Sequence, residues 1–577
     1  MEINTKQSGL TVQFLIAIVA SLLFIPFAGG VNLFDWDEIN FAESAREMII
    51  SHDYLNVQIH FMPFWEKPPL FIWLQVLSMK AFGINEFAAR FPNAVCGVVT
   101  LLLIFNIGRK LFDARFGIWW VVAYTGSILP HFYFRSGIID PWFNLLIFTA
   151  IWFFFQLHRI DRKPTSRQRF FHSALWGVFT GLAILTKGPT ALLIIGLVAA
   201  ITYLPSLLKG IHLLKSTADN KPQFQLRLAD LSIFLIFTIL IGGSWFFVQL
   251  FTGHSDMVWK FISYQIRLFT IPDAGHGGNW TYHLVVLLVG VFPASVFALQ
   301  GFRVSNGNSA WQQQFQKVML ILFWVVLILF TIVKTKIVHY SSLCYLPLTF
   351  LSALVIRQML LGKLRWPGWL NGLLILIAGL FAVFTFFLPF IDCFKDRIIR
   401  SGMINDDFAL ANLQAEVHWT GYESLAGVFL LIGIITAIIL RKKHLLSAFR
   451  ILFGTTIIFT WLIIMIFPYK IEQYSQRAVI DFYKQISTED CYVKNVGYFS
   501  YAPLFYAKIK PDEKYKNPHF VMWLLTGNID KQTYFVAKVP EYEEYKQYLP
   551  ALKELYRKNG FVFLVRIPEK YPFKIPD

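Results

Sequence analysis

Charge is scarce in this sequence: of its 577 residues only 15% are Asp, Glu, Lys or Arg, against about 25% in soluble domains. With 56% of the chain hydrophobic, that shortage excludes an ordinary water-soluble globule. Cysteine is equally sparse. Four residues without a CxxC spacing exclude a zinc finger and a disulfide scaffold. Cys96 and Cys344 fall in apolar runs and read as packing residues, whereas Cys393 and Cys491 leave one disulfide open. There is no internal repeat and no low-complexity tract. The formal charge of +17 does not indicate nucleic acid, because the basic residues sit in short loops between apolar runs, the pattern of topogenic charge.

Long apolar runs are what the chain has in abundance. About 20 such residues cross a bilayer, and runs of this kind lie near 10–30, 86–108, 116–134, 138–157, 171–186, 189–206, 229–250, 281–300, 317–333, 338–356, 367–390, 421–440 and 451–468. The sequence therefore predicts a polytopic α-helical membrane protein with about thirteen spans. Only Lys187 and Gly188 separate the fifth run from the sixth. The first run is too long for the core of a signal peptide and lacks a cleavage site, so it reads as a retained span. If Lys6 starts in the cytoplasm, alternate loops should be basic. They are: Arg109, Lys110 and Arg115; Arg159 to Arg169; Lys209 to Arg227; Arg357, Lys363 and Arg365; Arg441, Lys442, Lys443 and Arg450.

The opposite, periplasmic side receives a long first loop (31–85), the loops at 251–280 and 391–420, and a tail. Two regions follow: a membrane domain over 1–468 and a small α/β domain over 469–577. Within the tail, Phe561 to Val565 reads as a buried strand and Glu541 to Lys558 as an amphipathic helix. Within the first loop, residues after Phe34 have helical apolar spacing but are too few to span, which predicts a helix lying on the membrane surface. A second short helix follows Pro68-Pro69. Asp35 and Glu38, three residues apart, fit a capping box at the first helix. Asp37 is not needed for that box and is the better candidate for chemistry.

Several short motifs occur in a fixed order: Asp37-Glu38, Ala42-Glu43, Arg46-Glu47-Met48, Phe64-Trp65-Glu66-Lys67-Pro68-Pro69-Leu70, Glu86 to Arg90, Asp140-Pro141, Leu185 to Pro189, Arg267 with Ala274-Gly275-His276, and Lys336 with His339-Tyr340 and Pro347. Each is weak alone, but as an ordered set over about residues 10–360 they resemble the bacterial lipid A aminoarabinose transferases. More broadly they resemble the dolichyl-phosphate-mannose protein mannosyltransferase relatives among the GT-C glycosyltransferases. The resemblance implies thirteen spans and an outward-facing C-terminal domain. It makes Asp37 the catalytic acid residue with Glu38 as its neighbour, sets Lys67 on the donor phosphate, and gives Arg267 and Tyr340 to the lipid phosphate. No cofactor is required; the family's glutamate and loop histidine can bind a divalent metal, and Glu66 and His276 are their nearest equivalents. Glu43 and Arg46 join the candidate site through the same motifs. One departure stands out: the aminoarabinose transferases usually have Arg two places after the acidic pair, where this chain has Asn40.

Elementary electrostatics points the same way. A charged group at membrane depth costs a few kcal/mol and marks function by default. Asp140, Lys187, Lys336 and His339 all fall at the outer ends of spans, opposite the topogenic charge. His131 and His283, on apolar faces, read as packing residues. A sugar carried on a polyprenyl phosphate would leave behind a negative phosphate, which Lys67, Arg267, Lys187 and Lys336 would stabilise. A facing carboxylate would activate the acceptor, with inversion at the sugar. The expected function is transfer of such a sugar to a periplasmic lipid or glycan such as lipid A, in the bacterial inner membrane. Two alternatives stay open: a protein O-mannosyltransferase-like enzyme, and a transporter or flippase for a lipid-linked sugar.

Overall fold

A computed structural model describes residues 5–159, 161, 163–210, 226–270, 277–303, 309–402 and 404–568. Helices dominate it. Seven are long and apolar enough to cross a membrane: Glu86–Leu111, Asp140–Leu157, Ala310–Ile332, Val338–Leu360, Gly368–Arg400, Tyr422–Leu440 and Leu445–Tyr474. Two bent pairs raise the number to nine: Leu228–Gly242 with Ser244–Phe251, at 52°, and Tyr282–Gly290 with Ala294–Gly301, at 113°. The chain is thus a multi-pass membrane protein.

The remaining apolar runs are helical but short, interrupted or diluted by polar residues. The run at 116–134 divides into Ala114–Thr125 and Ile128–Tyr133. At the break, the Thr125 and Ser127 hydroxyls bond back to the carbonyls of Val121 and Ala123, which competes with the helical ladder. Ser166–Lys187 and Thr190–Gly210 are separate helices because Gly188 adopts φ +88°, and Pro189 supplies no N–H. That break leaves Lys187 at a helix end. Elsewhere small residues permit close approach: a Cβ on Gly108 would lie 2.9 Å from the Cα of Gly117, the close backbone packing expected without a hydrophobic driving force between spans. Inside, Trp120 meets Phe148 and Phe350 edge to face.

The first loop is not a surface appendage. Its helix Asp37–Ser51 is buried from Glu38 to Met48, so the expectation of a helix lying on the membrane surface is corrected. A hydrophobic stripe alone cannot distinguish lipid from protein as the covering partner. The cover here comes from the helix Leu70–Phe82 and from the carboxy-terminal part of the chain.

That part contains a four-stranded sheet in the order Tyr492–Val496, Thr533–Lys538, Phe561–Arg566, Lys553–Lys558. The first pair is parallel and the others are antiparallel. Phe561 to Val565 is the buried strand expected. The helix expected over 541–558 is not: helix covers Val539–Tyr545, and Lys553–Lys558 forms an exposed edge strand. Pro550 explains the stop, because the residue before a proline is steered out of the helical region. Polar edge residues then satisfy a strand's open side as well as a helix's wet face. Cys393 and Cys491 are both free thiols.

Several bonds tie this sheet unit to the first loop. The Leu33 N–H donates to the Tyr506 hydroxyl at 2.7 Å, and Gln476 donates to the Leu33 carbonyl at 2.9 Å. Lys484 reaches Asn32 at 2.6 Å and Glu86 at 3.1 Å. The loop is therefore clamped between the spans and the sheet.

Candidate active site

A cavity of about 650 Å³ opens between the first loop, the ends of several helices and Tyr501. Asp37, the first residue of its helix, lines it, as do Glu66, Lys67, Asp140, Lys187 and His339. These residues come from five separate stretches of sequence. His339 Nε2 lies 3.3 Å from Asp37 Oδ2 and 3.6 Å from Asp140 Oδ2, bridging the two carboxylates. Lys187 donates to Asp140 Oδ1 at 2.6 Å. Its ammonium also sits over the Tyr340 ring, 4.8 Å from the centroid, and that of Lys67 lies 5.1 Å over Tyr264. Two cations are thus held on aromatic faces beside two carboxylates.

Burial works against ionisation of Asp37. The hydrogen bond and charge from His339, with the charges of Lys67 and Lys187, more than offset it and hold the carboxyl at about 2. The side chain is nevertheless 39% exposed to the cavity, so a ligand can reach this charged oxygen.

Glu38, one residue on, has a different task. It is 5% exposed and forms a two-pronged pair with Arg90, at 2.9 and 2.6 Å. The same carboxylate accepts the Phe34 N–H at 2.9 Å and the Gly137 N–H at 2.5 Å. Arg90 donates its remaining N–H groups to the carbonyls of Ala28, Val31 and Asn32. This pair joins four backbone segments around the cavity and holds the start of the Asp37 helix in place.

Asp35 does not form the expected capping box. The helix begins at Asp37 behind Trp36, whose φ of +71° turns the chain away, and no side chain caps it. Asp35 Oδ1 instead accepts the N–H groups of Trp36 at 2.9 Å and Tyr501 at 3.1 Å. Burial raises its carboxyl despite these bonds and one from Ser500. A partner 466 residues away in sequence outcompeted the local cap.

Other expected site residues lie elsewhere. Glu43 and Arg46 form a buried pair, at 2.6 and 2.7 Å, and Arg46 also donates to the Ile509 carbonyl at 2.8 Å. They fasten the helix to the sheet unit rather than face the cavity. Lys336 is buried, its ammonium donating to the carbonyls of Phe330, Thr331 and Val333 at 2.6–2.9 Å; it caps a helix C-terminus. Arg267 is exposed and stacks on Tyr264, 5.2 Å from its centroid, outside the residues that line the cavity. His276 lies outside the described residues. Glu66 lines the cavity with Lys67 3.8 Å away. Among the described residues no three His, Cys, Asp or Glu side chains come together in a way that would hold a metal. His131 packs as expected, buried against Phe24 with Nδ1 3.0 Å from the Thr125 carbonyl.

Sequence reasoning did not single out Trp36, Arg135, Tyr264 or Tyr501, all of which line the cavity. Arg90 stood in a quoted motif without a role. Asn40 also lines the cavity; it is 5% exposed, and its side-chain oxygen meets no hydrogen-bond partner among the described residues.

Comparison with known proteins follows the same lines. Residues 66–218 match the family described as dolichyl-phosphate-mannose-protein mannosyltransferase. The undecaprenyl phosphate-α-4-amino-4-deoxy-L-arabinose arabinosyl transferase of Edwardsiella ictaluri is 28% identical over 378 residues, covering 64% of this chain and 63% of the relative. The same-named protein of Pectobacterium carotovorum is 26% identical, covering 62% of each. The matched region thus spans somewhat less than two thirds of these curated relatives. In three dimensions the chain superposes on ArnT from Cupriavidus metallidurans bound to undecaprenyl phosphate with a TM-score of 0.73 at 17% identity, over 96% of this chain and 98% of that one. Nearly the whole chain therefore has that fold, and in sequence and architecture alike it is similar to the GT-C membrane glycosyltransferases of the lipid A aminoarabinose transferase type.

Proposed function

We propose that the chain transfers a sugar from a polyprenyl phosphate, of the undecaprenyl kind named in its relatives, to a periplasmic lipid or glycan acceptor such as lipid A. One observation carries the reading: an ionised, reachable carboxylate, Asp37, stands in one cavity with two aromatic-backed cations, Lys67 and Lys187. Lys67 and Lys187 neutralise the charge that develops on the departing phosphate. Asp37 holds the acceptor hydroxyl by its proton and takes that proton as the oxygen bonds to the sugar carbon. Attack from the side opposite the phosphate inverts that carbon. His339 keeps Asp37 oriented and charged, and Asp140 lies against the same His339 nitrogen. A carboxyl held near 2 is a weak base in the ground state. Proton transfer to it is therefore late, when the hydroxyl oxygen is already bonding to the sugar and has become acidic. The test is turnover of an undecaprenyl-phosphate-linked sugar by the purified full chain, which a flippase would leave intact.

Lys67→Ala and Lys187→Ala each remove a cation that meets the phosphate. Losing a hydrogen bond to a charged group costs about 1.5–3 kcal/mol. Undecaprenyl phosphate binding should therefore weaken about 10- to 100-fold, while membrane insertion stays intact. Unchanged affinity in both variants would remove the phosphate from this place.

The reading places thirteen spans in the inner membrane, with a membrane domain at 1–468 (its catalytic loop 31–85) and a periplasmic α/β domain at 469–577. Basic loops on one side and the cavity on the other support this orientation. Single cysteines at Asn279 and Lys531, in a background without the native four, should react with an impermeant thiol reagent from outside. One at Ser166 should not. Labelling of Ser166 with protection of Asn279 would invert the topology.

Asn40 supports a sugar other than aminoarabinose, since the cavity offers a neutral amide where an arginine would offer a fixed two-pronged cation. Mass spectrometry of envelope lipids from a deletion strain should show loss of a different substituent. Loss of aminoarabinose itself would refute the inference from Asn40.

A further inference from the structure

Trp36 is held in a backbone conformation that a bulky residue rarely adopts, φ +71°. Such strain persists only where the surroundings over-determine it, and it clusters at functional sites. The determinant here is Asp35, whose carboxylate grips the N–H groups on either side of the gap, at Trp36 and at Tyr501. The result is to display an indole immediately before Asp37, 45% exposed and lining the cavity. It does not stand alone. Phe499, 60% exposed, lies 5.4 Å from it between ring centroids; Tyr501 lies 5.9 Å from Trp36 and 4.8 Å from Phe499, edge-on to both. Three rings from two distant segments form one aromatic ledge.

The ledge and the cations are built from different segments. Lys67 and Lys187 rest on Tyr264 and Tyr340, whereas the ledge is built from the segment before Asp37 and the loop at 499–501. Trp36 and Phe499, the two exposed rings, suit the apolar face of a sugar ring, whose hydroxyl edge is then presented to Asp37.

We propose that Trp36 and Phe499, backed edge-on by Tyr501, form a subsite that stacks on a pyranose ring of the acceptor glycan. The proposal rests on the transferase reading in assigning the phosphate donor to Lys67 and Lys187. The sheet unit thereby contributes directly to acceptor choice, and Asp35 acts as a positioning residue for the ledge.

The test uses the full chain in detergent and two binding probes: undecaprenyl phosphate, and the deacylated glucosamine disaccharide bisphosphate of lipid A. Trp36→Ala and Phe499→Ala should each weaken disaccharide binding about tenfold while leaving undecaprenyl phosphate within about twofold. Trp36→Phe and Phe499→Tyr, which keep a ring, should stay near the parent for both probes. Equal affinity of the alanine variants for the disaccharide would overturn the subsite. So would an equal loss for both probes, the mark of a structural or lipid-contacting role. A parent chain that binds undecaprenyl phosphate but no disaccharide overturns the ledge and leaves the donor reading standing. One that binds the disaccharide, ring-dependently, but no undecaprenyl phosphate sinks the donor reading and sustains the ledge. Binding of neither overturns both.

Discussion

Asp37→Asn should abolish most turnover while the protein still folds, inserts and binds donor. The substitution is nearly isosteric but removes both the charge and the capacity to accept a proton. Proton transfer by a positioned side chain is worth about 100- to 10,000-fold, a loss readable in a crude membrane assay. Asp35→Asn is the informative contrast, because an amide oxygen can still accept the N–H groups of Trp36 and Tyr501. It should be mild in turnover; the reverse ranking would mean that Asp35 carries the chemistry. The pH profile adds a second readout. Asp37 stays ionised above about 2, so its protonation should place no acid limb between pH 4 and 8. His339→Ala removes the strongest of the influences that depress it and leaves only the charges of Lys67 and Lys187 against burial. The Asp37 acid limb should then move upward into the measurable range. An unmoved profile in that variant would separate His339 from Asp37.

Glu38→Gln should act on the fold rather than on the chemistry. It leaves the Arg90 guanidinium, 5% exposed, without its counter-charge, and breaking a buried pair from one side costs about 3–5 kcal/mol. Solubilised protein should lose its monodisperse form at a markedly lower temperature. The fraction that remains folded should keep its donor affinity. A variant of parental thermal stability but without turnover would instead put Glu38 in contact with substrate. The local sequence gives both carboxylates of the pair the same appearance, and only the reach of Arg90 separates their roles.

The sequence by itself determined the membrane character and the approximate positions of the helices. These follow from local properties: the length of an apolar run, a loop's basic residues, a proline or glycine that stops a helix. Asp140, Lys187 and His339 stood out for the same reason, as polar residues misplaced at the ends of apolar segments, whereas Lys67 was marked by the ordered motifs and Asp37 by being superfluous to the expected cap. The tertiary structure alone decided which of the remaining polar residues face the cavity. Lys336 and Arg46 looked like ligand-binding cations, but each found carbonyl groups within reach, and a buried ammonium or guanidinium takes such partners in preference to none. Asp35 had the spacing of a cap, yet the Tyr501 N–H offered it a bond across 466 residues of sequence. The surface helix became a buried one because the sheet unit covers its stripe, and the ledge of Trp36, Phe499 and Tyr501 exists only through that contact. Periodicity and charge record what a segment needs to bury or to pair; which partner meets the need is a property of long-range packing, and no window of the sequence contains it.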